Sequence, residues 1–129
     1  MEQPDMEQPA LEVRGLRVTR HDGQALVGPL EFSVAAGECV AIVGASGAGK
    51  SLTVRALLGL LPAGLVASAE RHRIGGRELA QARPRDFRAV LGRRIGLVNQ
   101  DAMASLDPLR RIRAEITEGA EVHGLVPGH

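Results

Sequence analysis

The chain has 129 residues, of which 44% are apolar and 24% are charged, and its formal net charge is +1 at pH 7. This composition is typical of a soluble globular domain and argues against a disordered chain, a collagen-like fibre or a coiled coil. The near-neutral charge shows no bias toward nucleic acid or anionic lipid. The single cysteine excludes an intramolecular disulfide framework and a multi-cysteine zinc site, and it fits a reducing compartment.

The first ten residues read MEQPDMEQPA and are polar and acidic. They contain neither a basic n-region nor an apolar h-region, so they do not form a secretory signal. No apolar run in the chain reaches the roughly 20 residues that a membrane-spanning helix needs. We expect residues 1–10 to form a disordered leader.

Three segments predict β-strands in the first third of the chain. Residues 11–19 alternate apolar and polar side chains, with Gly15 shifting the phase, which predicts a strand with a kink. Residues 30–34 alternate again. Residues 39–43 (CVAIV) follow a tight turn at residues 36–38 and form a short continuous apolar run, which predicts a strand buried on both faces.

A glycine-rich loop, GASGAGKS, follows this apolar run and fits the P-loop pattern G-x-x-x-x-G-K-[ST]. Gly44, Gly47 and Gly49 allow backbone angles that other residues resist, so the loop could wrap a polyphosphate with its backbone N–H groups at a helix N-terminus. Lys50, the only lysine of the chain, would reach the β- and γ-phosphates, and the Ser51 hydroxyl would ligate Mg²⁺. The candidate nucleotide-binding residues are Gly44, Ala45, Ser46, Gly47, Ala48, Gly49, Lys50, Ser51 and Leu52.

The next elements are a helix and two weaker strand regions. Residues 52–61 are apolar enough to form a mostly buried helix, which Pro62 and Gly64 would end. Residues 66–78 predict an interrupted strand with a turn at its paired glycines, and residues 95–98 (IGLV) predict another short strand.

Two further segments predict helices. Residues 84–91 would form a short helix with proline in its first turn. Within residues 109–123, Ile112, Ile116 and Ala120 recur at four-residue spacing, and we expect this stripe to be core or the contact for a neighbouring segment. Strands that precede helices, with a glycine loop between them, predict an α/β fold.

The segment from residue 95 to residue 108 reads IGLVNQDAMASLDP. Its glutamine, Gln100, lies fifty positions after Lys50. The segment resembles the glutamine loop of the nucleotide-binding subunit of ABC transporters, in the oligopeptide, dipeptide and nickel importer branch, where a strand leads into Q-D/E-P-M-x-S-L-N-P. The resemblance extends over about residues 11–125. Ala102 replaces the usual proline, and Asn99 stands where an aromatic residue is common.

The resemblance implies a P-loop NTPase core, the N-terminal part of an ABC ATPase domain, with a β-rich N-terminal subdomain. Residues 11–108 would form this partial core, and residues 109–129 the start of the helical subdomain. Lys50 and Gln100 would be catalytic, Gln100 touching the attacking water. Ser51 and Gln100 would contact Mg²⁺.

The resemblance also implies cofactors, partners and a location. The cofactors would be ATP and Mg²⁺. The partners would be transmembrane permease subunits and a second ATPase subunit in a homo- or heterodimer, without nucleic acid. The protein would be cytoplasmic and peripheral on the inner face of the cell membrane, bound there through the permease.

Several motifs of the family do not occur in these 129 residues: the signature L-S-G-G-Q, an apolar run ending in Asp-Glu (Walker B), and a later switch histidine. We therefore expect a fragment that binds Mg-ATP weakly and turns it over very slowly or not at all. The alternatives are a truncated, non-hydrolysing nucleotide-binding fragment, or another P-loop ATPase such as a soluble DNA-repair type. A GTPase is excluded because the only lysine, Lys50, leaves no N-K-x-D motif.

The remaining candidate residues favour structural roles. Thr19, Arg20 and His21 occupy the region where the family often stacks an aromatic residue on adenine, and a solvated turn histidine is the favoured interpretation. His21, His72, His123 and His129 show no metal-ligand spacing, so we expect surface histidines. Cys39, inside the apolar run, is expected to be a buried structural thiol.

Overall fold

The computed structural model describes residues 8–47, 49–101 and 106–125, and the chain forms two compact units, Met1–Phe87 and Arg88–His129. The leader predicted for residues 1–10 lies mostly outside the described residues, as do Ala48 and residues 102–105 of the glutamine segment. No helix in the described part of the chain is long and apolar enough to cross a membrane.

The first unit is built around strand β1 (Leu11–Arg20), which runs antiparallel to β2 (Ala25–Val34). Apolar side chains at alternate positions of β1 turn inward and are almost fully buried, as the alternation predicts. The register shifts between Val13 and Leu16, where Gly15 has a φ of 64°. The kink predicted from the phase shift is therefore confirmed.

The other edge of β1 is shared by two short strands. β3 (Leu65–Ser68) pairs with the second half of β1, and β4 (Arg71–Ile74) pairs with its first half, both antiparallel. β5 (Arg77–Glu78) pairs antiparallel with β4 after a turn at the two glycines. The interrupted strand predicted for residues 66–78 is thus three short strands of one antiparallel sheet.

Helix α1 (Lys50–Leu58) contacts β1 and buries one face. It ends before residue 61 because Gly59, with a φ of 68°, forms a left-handed cap. The Leu60 N–H donates to the Arg55 carbonyl at 2.8 Å and the Gly59 N–H to the Ala56 carbonyl at 3.3 Å, which is a Schellman motif. The core of the unit combines residues of β1, β2 and α1: Val13, Leu16, Val18, Val27, Ala56 and Leu57.

Helix α2 (Pro84–Phe87) has only four residues, fewer than the predicted 84–91. Its buried Phe87 ring lies so close to Gly59 that a Cβ on that glycine would be 2.6 Å from the ring. This contact anchors α2 to the end of α1.

Helix α3 (Ile112–Val122) belongs to the second unit and forms within the predicted range 109–123. The side chains of Ile112 and Ile116 are exposed, at 75% and 77%. Within the described residues this stripe is therefore not core, which leaves its predicted alternative, a contact for a neighbouring segment.

Two predicted strands are wrong. Residues 39–43 and 95–98 have no strand pairing in the described part of the chain, apart from a single bridge between Leu91 and Ile95. Val43 is 86% exposed and Val98 is 95% exposed. A strand buried on both faces needs strands beside it and layers above and below, and the described sheet gives these segments neither. Cys39 is accordingly exposed, so the predicted buried thiol is also wrong.

His72 is not a surface histidine. It is only 3% exposed, because β4 alternates and places His72 and Ile74 on its buried side. Its ring lies 5.8 Å from the Phe87 ring in a tilted arrangement. His21, in contrast, is exposed in the hairpin turn, as predicted.

Candidate functional site

The glycine loop and the start of α1 form the candidate site. Gly49 occupies the N-cap position with φ 90° and ψ 13°, and the helix begins at Lys50. A Cβ at Gly49 would lie 2.6 Å from Cγ2 of Val27 on β2, so only glycine fits this approach. Gly47 also has a positive φ, of 81°. Gly44 is absent from the positive-φ glycines of the described residues, so the expectation of unusual backbone angles holds at two of the three glycines.

Lys50 folds back over the loop that precedes it. Its Nζ donates to the Gly44 carbonyl at 2.6 Å and to the Ala45 carbonyl at 2.8 Å. Two neutral carbonyls hold the ammonium without neutralising its charge. The lysine therefore keeps the loop closed and leaves its positive charge at the site.

The first turn of α1 fits an anionic group. It contains no acidic residue, and its N-cap residue, Gly49, has no side chain that could cap the helix. The N–H groups of the first helical turn have no intrahelical partners, and the helix dipole adds about half a positive charge there. Together with the Lys50 ammonium, these groups suit a phosphate chain.

The residues after Lys50 divide into an exposed and a packed set. Ser51 is exposed, whereas Leu52 is half-buried and packs against the core. Thr53 is buried, and its Oγ1 donates to the Gly49 carbonyl at 2.8 Å. This bond and the backbone bond from the Thr53 N–H to the same carbonyl, at 2.9 Å, fix the first turn of α1. The Ser51 side chain is thus exposed to solvent at the start of a helix whose first turn is fixed by these hydrogen bonds.

Gln100 lies in the second unit and is exposed in a bend. Gln100 belongs to a different unit from the glycine loop, so its predicted contacts with Mg²⁺ and the attacking water stay predictions. Residues 102–105, which carry part of the glutamine-loop resemblance, lie outside the described residues.

Comparisons with known proteins point to one family. A family model described as ABC transporter matches residues 27–125. The peptidoglycan transport ATP-binding protein YejF of Agrobacterium fabrum is 39% identical over 129 aligned positions, which cover 94% of this chain and 23% of that protein. The oligopeptide transport ATP-binding protein OppD of Salmonella typhimurium is 39% identical over 122 positions, which cover 88% of this chain and 34% of that protein.

A third relative extends the range of transported solutes. The nickel import ATP-binding protein NikD of Pseudomonas putida is 36% identical over 115 positions, which cover 89% of this chain and 42% of that protein. The chain therefore spans less than half the length of these relatives. The matched family has the P-loop NTPase fold, which confirms the predicted α/β class and the predicted resemblance.

Proposed function

Because this chain belongs to the ABC transporter family, we propose that it is the nucleotide-binding part of an ATP-binding subunit that energises import of peptides, nickel or related small solutes. The observation that carries the proposal is the closed glycine loop at the start of α1, with the Lys50 ammonium held over it. ATP with Mg²⁺ would be the cofactor, since the family binds ATP.

In the proposed site, each residue has a distinct duty. The Lys50 ammonium would exchange its contacts with the loop carbonyls for phosphate oxygens, which carry full negative charge and bind it more strongly. Ser51 would direct its exposed hydroxyl toward Mg²⁺, and the backbone from Gly44 to Leu52 would line the phosphates. Bound Mg²⁺ would neutralise phosphate charge, and Gln100 would orient a water through its side-chain amide.

The proposed partners follow from the same membership. Permease subunits would hold the protein at the inner face of the membrane, and a second ATPase subunit would complete a homo- or heterodimer. The sequence contains no Asp-Glu pair after an apolar run and no L-S-G-G-Q. We therefore propose that these 129 residues bind Mg-ATP without sustained turnover.

Equilibrium dialysis of the purified chain against Mg-ATP tests the proposal, with Lys50→Ala beside the wild type. Removing a charged hydrogen-bond donor costs about 1.5–3 kcal/mol, so the affinity should fall about 10- to 100-fold. Arg93→Ala is the matched control, since it removes one positive charge from an exposed position of the second unit. We expect it to change the affinity less than about twofold.

The outcomes separate the proposals. Equal Mg-ATP binding by the wild type and Lys50→Ala would show that the glycine loop is not the nucleotide site. Multiple turnovers in the wild type that Lys50→Ala abolishes would place a general base among these residues and contradict the proposed lack of turnover. Ser51→Ala should weaken binding in Mg²⁺ but not in EDTA if the hydroxyl is a metal ligand.

A further inference from the structure

Gly49 occupies the N-cap position of α1 without a capping side chain, and its surroundings require glycine there. Its φ of 90° is one that other residues rarely adopt, and a Cβ would lie 2.6 Å from Cγ2 of Val27. A Ser, Thr or Asp at an N-cap normally fixes the first turn by accepting a hydrogen bond from one of its N–H groups. Glycine leaves those N–H groups uncapped, but it also leaves the peptide group between Gly49 and Lys50 without that restraint.

Thr53 supplies a restraint from the other side of the same peptide group. Its Oγ1 donates to the Gly49 carbonyl at 2.8 Å, and its N–H donates to the same oxygen at 2.9 Å. Because Thr53 is only 3% exposed, little water competes for its hydroxyl. The Gly49 carbonyl is therefore held by two donors of one buried residue.

The direction of the Gly49 carbonyl determines the direction of the Lys50 N–H. A trans peptide group is planar, so its C=O and N–H bonds point in opposite directions. The peptide bond between Gly49 and Lys50 is trans, and its carbonyl points into α1 toward Thr53. The Lys50 N–H therefore points out of the helix N-terminus, where the proposed phosphate chain would lie. The N–H groups of a first helical turn have no intrahelical acceptor, so this donor is available to a ligand.

We propose that Thr53 is a positioning residue for phosphate binding: its buried hydroxyl holds the peptide group between Gly49 and Lys50 so that the Lys50 N–H stays directed at the phosphate chain. This inference rests on the proposed nucleotide function of the glycine loop. Thr53 acts through Gly49 and does not contact the ligand. Since the restraint acts on the carbonyl, it fixes the peptide group without using an N–H donor that the phosphate chain needs.

The single lysine makes this peptide group observable by itself. Lysine labelled with nitrogen-15 at its α-amino group gives one backbone amide signal in the NMR spectrum of the full chain, that of Lys50. Titration of the wild type with Mg-ATP should shift this signal in a saturable way, because the N–H acquires a charged acceptor. Tripolyphosphate, which has the phosphate chain without the nucleoside, should shift it in the same direction.

Two variants separate positioning from packing. Thr53→Val keeps the size and shape of the side chain and removes the hydroxyl, whereas Thr53→Ser keeps the hydroxyl and removes a buried methyl group. Thr53→Val should broaden or split the Lys50 signal and weaken Mg-ATP binding about 3- to 10-fold, the value of about one hydrogen bond. Thr53→Ser should retain one sharp signal and an affinity within about twofold of the wild type, although the lost methyl group lowers its stability.

Thr117→Val is the matched control. The Thr117 Oγ1 donates to the Arg113 carbonyl at 3.0 Å, with the same four-residue spacing, in helix α3 of the other unit. Loss of this hydroxyl should leave the Lys50 signal and the affinity unchanged. Urea unfolding of every variant measures its stability and checks that it folds. Thr53→Ala, which also lacks the hydroxyl, takes the place of Thr53→Val if that variant does not fold.

The outcomes distinguish this inference from the proposed function. Weaker binding by Thr53→Val that Thr53→Ser restores supports the positioning role. A wild-type Lys50 signal that neither Mg-ATP nor tripolyphosphate shifts would overturn the nucleotide function and this inference with it. A wild type that binds Mg-ATP, with a Thr53→Val variant of equal affinity, would overturn the inference alone. A loss of affinity in Thr53→Ser as large as that in Thr53→Val would also overturn it, since that pattern marks a packing role.

Discussion

Gly59 ends α1 and also receives the Phe87 ring, so one residue sets the helix end and the packing of the next element. A side chain at this position would meet two penalties. The left-handed φ of 68° strains any residue with a Cβ, and that Cβ would clash with an aromatic ring held in the core. Gly23 shares the positive φ, at 86°, but no described atom lies within 4 Å of its Cβ position.

We expect Gly59→Ala to lower the free energy of unfolding by about 2–4 kcal/mol, since it combines backbone strain with overpacking. Gly23→Ala, which has the backbone strain alone, should cost about 1 kcal/mol. Urea unfolding followed by circular dichroism measures both. Equal losses in the two variants would mean that the Phe87 ring moves aside without cost.

Lys50 shows how far sequence reasoning reaches at a single residue. The motif predicted its position at the start of α1, because loop and helix signals are local in sequence. Its contacts with the Gly44 and Ala45 carbonyls depend on the path of the loop backbone, which no sequence spacing determines.

At the scale of elements, β1 and β4 show opposite outcomes of the same rule. The alternation in β1 uses apolar residues on the inner face, so the pattern predicted both the strand and its core side chains. Burial also alternates along β4, but its residues are Arg-His-Arg-Ile. One of its two buried positions therefore carries a polar residue, which a hydrophobicity pattern does not identify as buried. The burial of His72 could have been predicted only from its position two residues before Ile74, which places both side chains on the same face of the strand.

Burial of His72 makes the stability of the first unit depend on pH. The folded pKa lies below the unfolded value of 6.5, so below pH 6.5 the unfolded chain binds a proton that the folded chain excludes. The free energy of unfolding should therefore fall as the pH decreases through 6.5, and level off below the folded pKa. Above about pH 7.5 the group should contribute no pH dependence.

The matched variant is His72→Leu, compared with the wild type by urea unfolding at about pH 8 and about pH 5.5. The wild type should lose more stability between the two conditions than the variant. The Glu78 carboxyl cannot mimic this difference. Burial raises its pKa, but the hydrogen bonds that its Oε1 accepts from the His72 and Ala80 N–H groups lower the pKa by more, so the net shift is downward from its usual 4.5. Parallel losses would show that His72 accepts a proton in the folded state.

At the scale of the whole molecule, each of the two units has one apolar segment, residues 39–43 and residues 95–98, with exposed side chains, among them Val43 at 86% and Val98 at 95%. Their residues are β-branched or apolar and lack charge, which is the composition of segments that pair with other chains. The sequence predicted their apolar character correctly but not their exposure, because burial of a central strand depends on its neighbours.

These segments should cause the purified chain to self-associate. Val43→Lys combined with Val98→Lys should reduce the apparent mass in size-exclusion chromatography with light scattering, because each added charge opposes strand pairing. The melting temperature should not change, since both side chains are at least 86% exposed. Leu109→Lys, at a position 93% exposed outside both segments, is the control. A wild-type chain that is already a monodisperse monomer with a sharp melt would contradict this prediction.

The contact between Lys50 and the loop carbonyls has a chemical consequence. Since the chain has no other lysine, every ε-amine reaction of the protein takes place at the glycine loop, and only the α-amino group competes. An acylating reagent would therefore modify at most two amines of the chain, the α-amino group and Lys50, and the adduct at the glycine loop could be assigned by peptide mapping without mutagenesis. The acylated side chain would lose its charge and most of its N–H donors, so it would no longer hold the Gly44 and Ala45 carbonyls. The extent of acylation would therefore report whether a ligand occupies the loop.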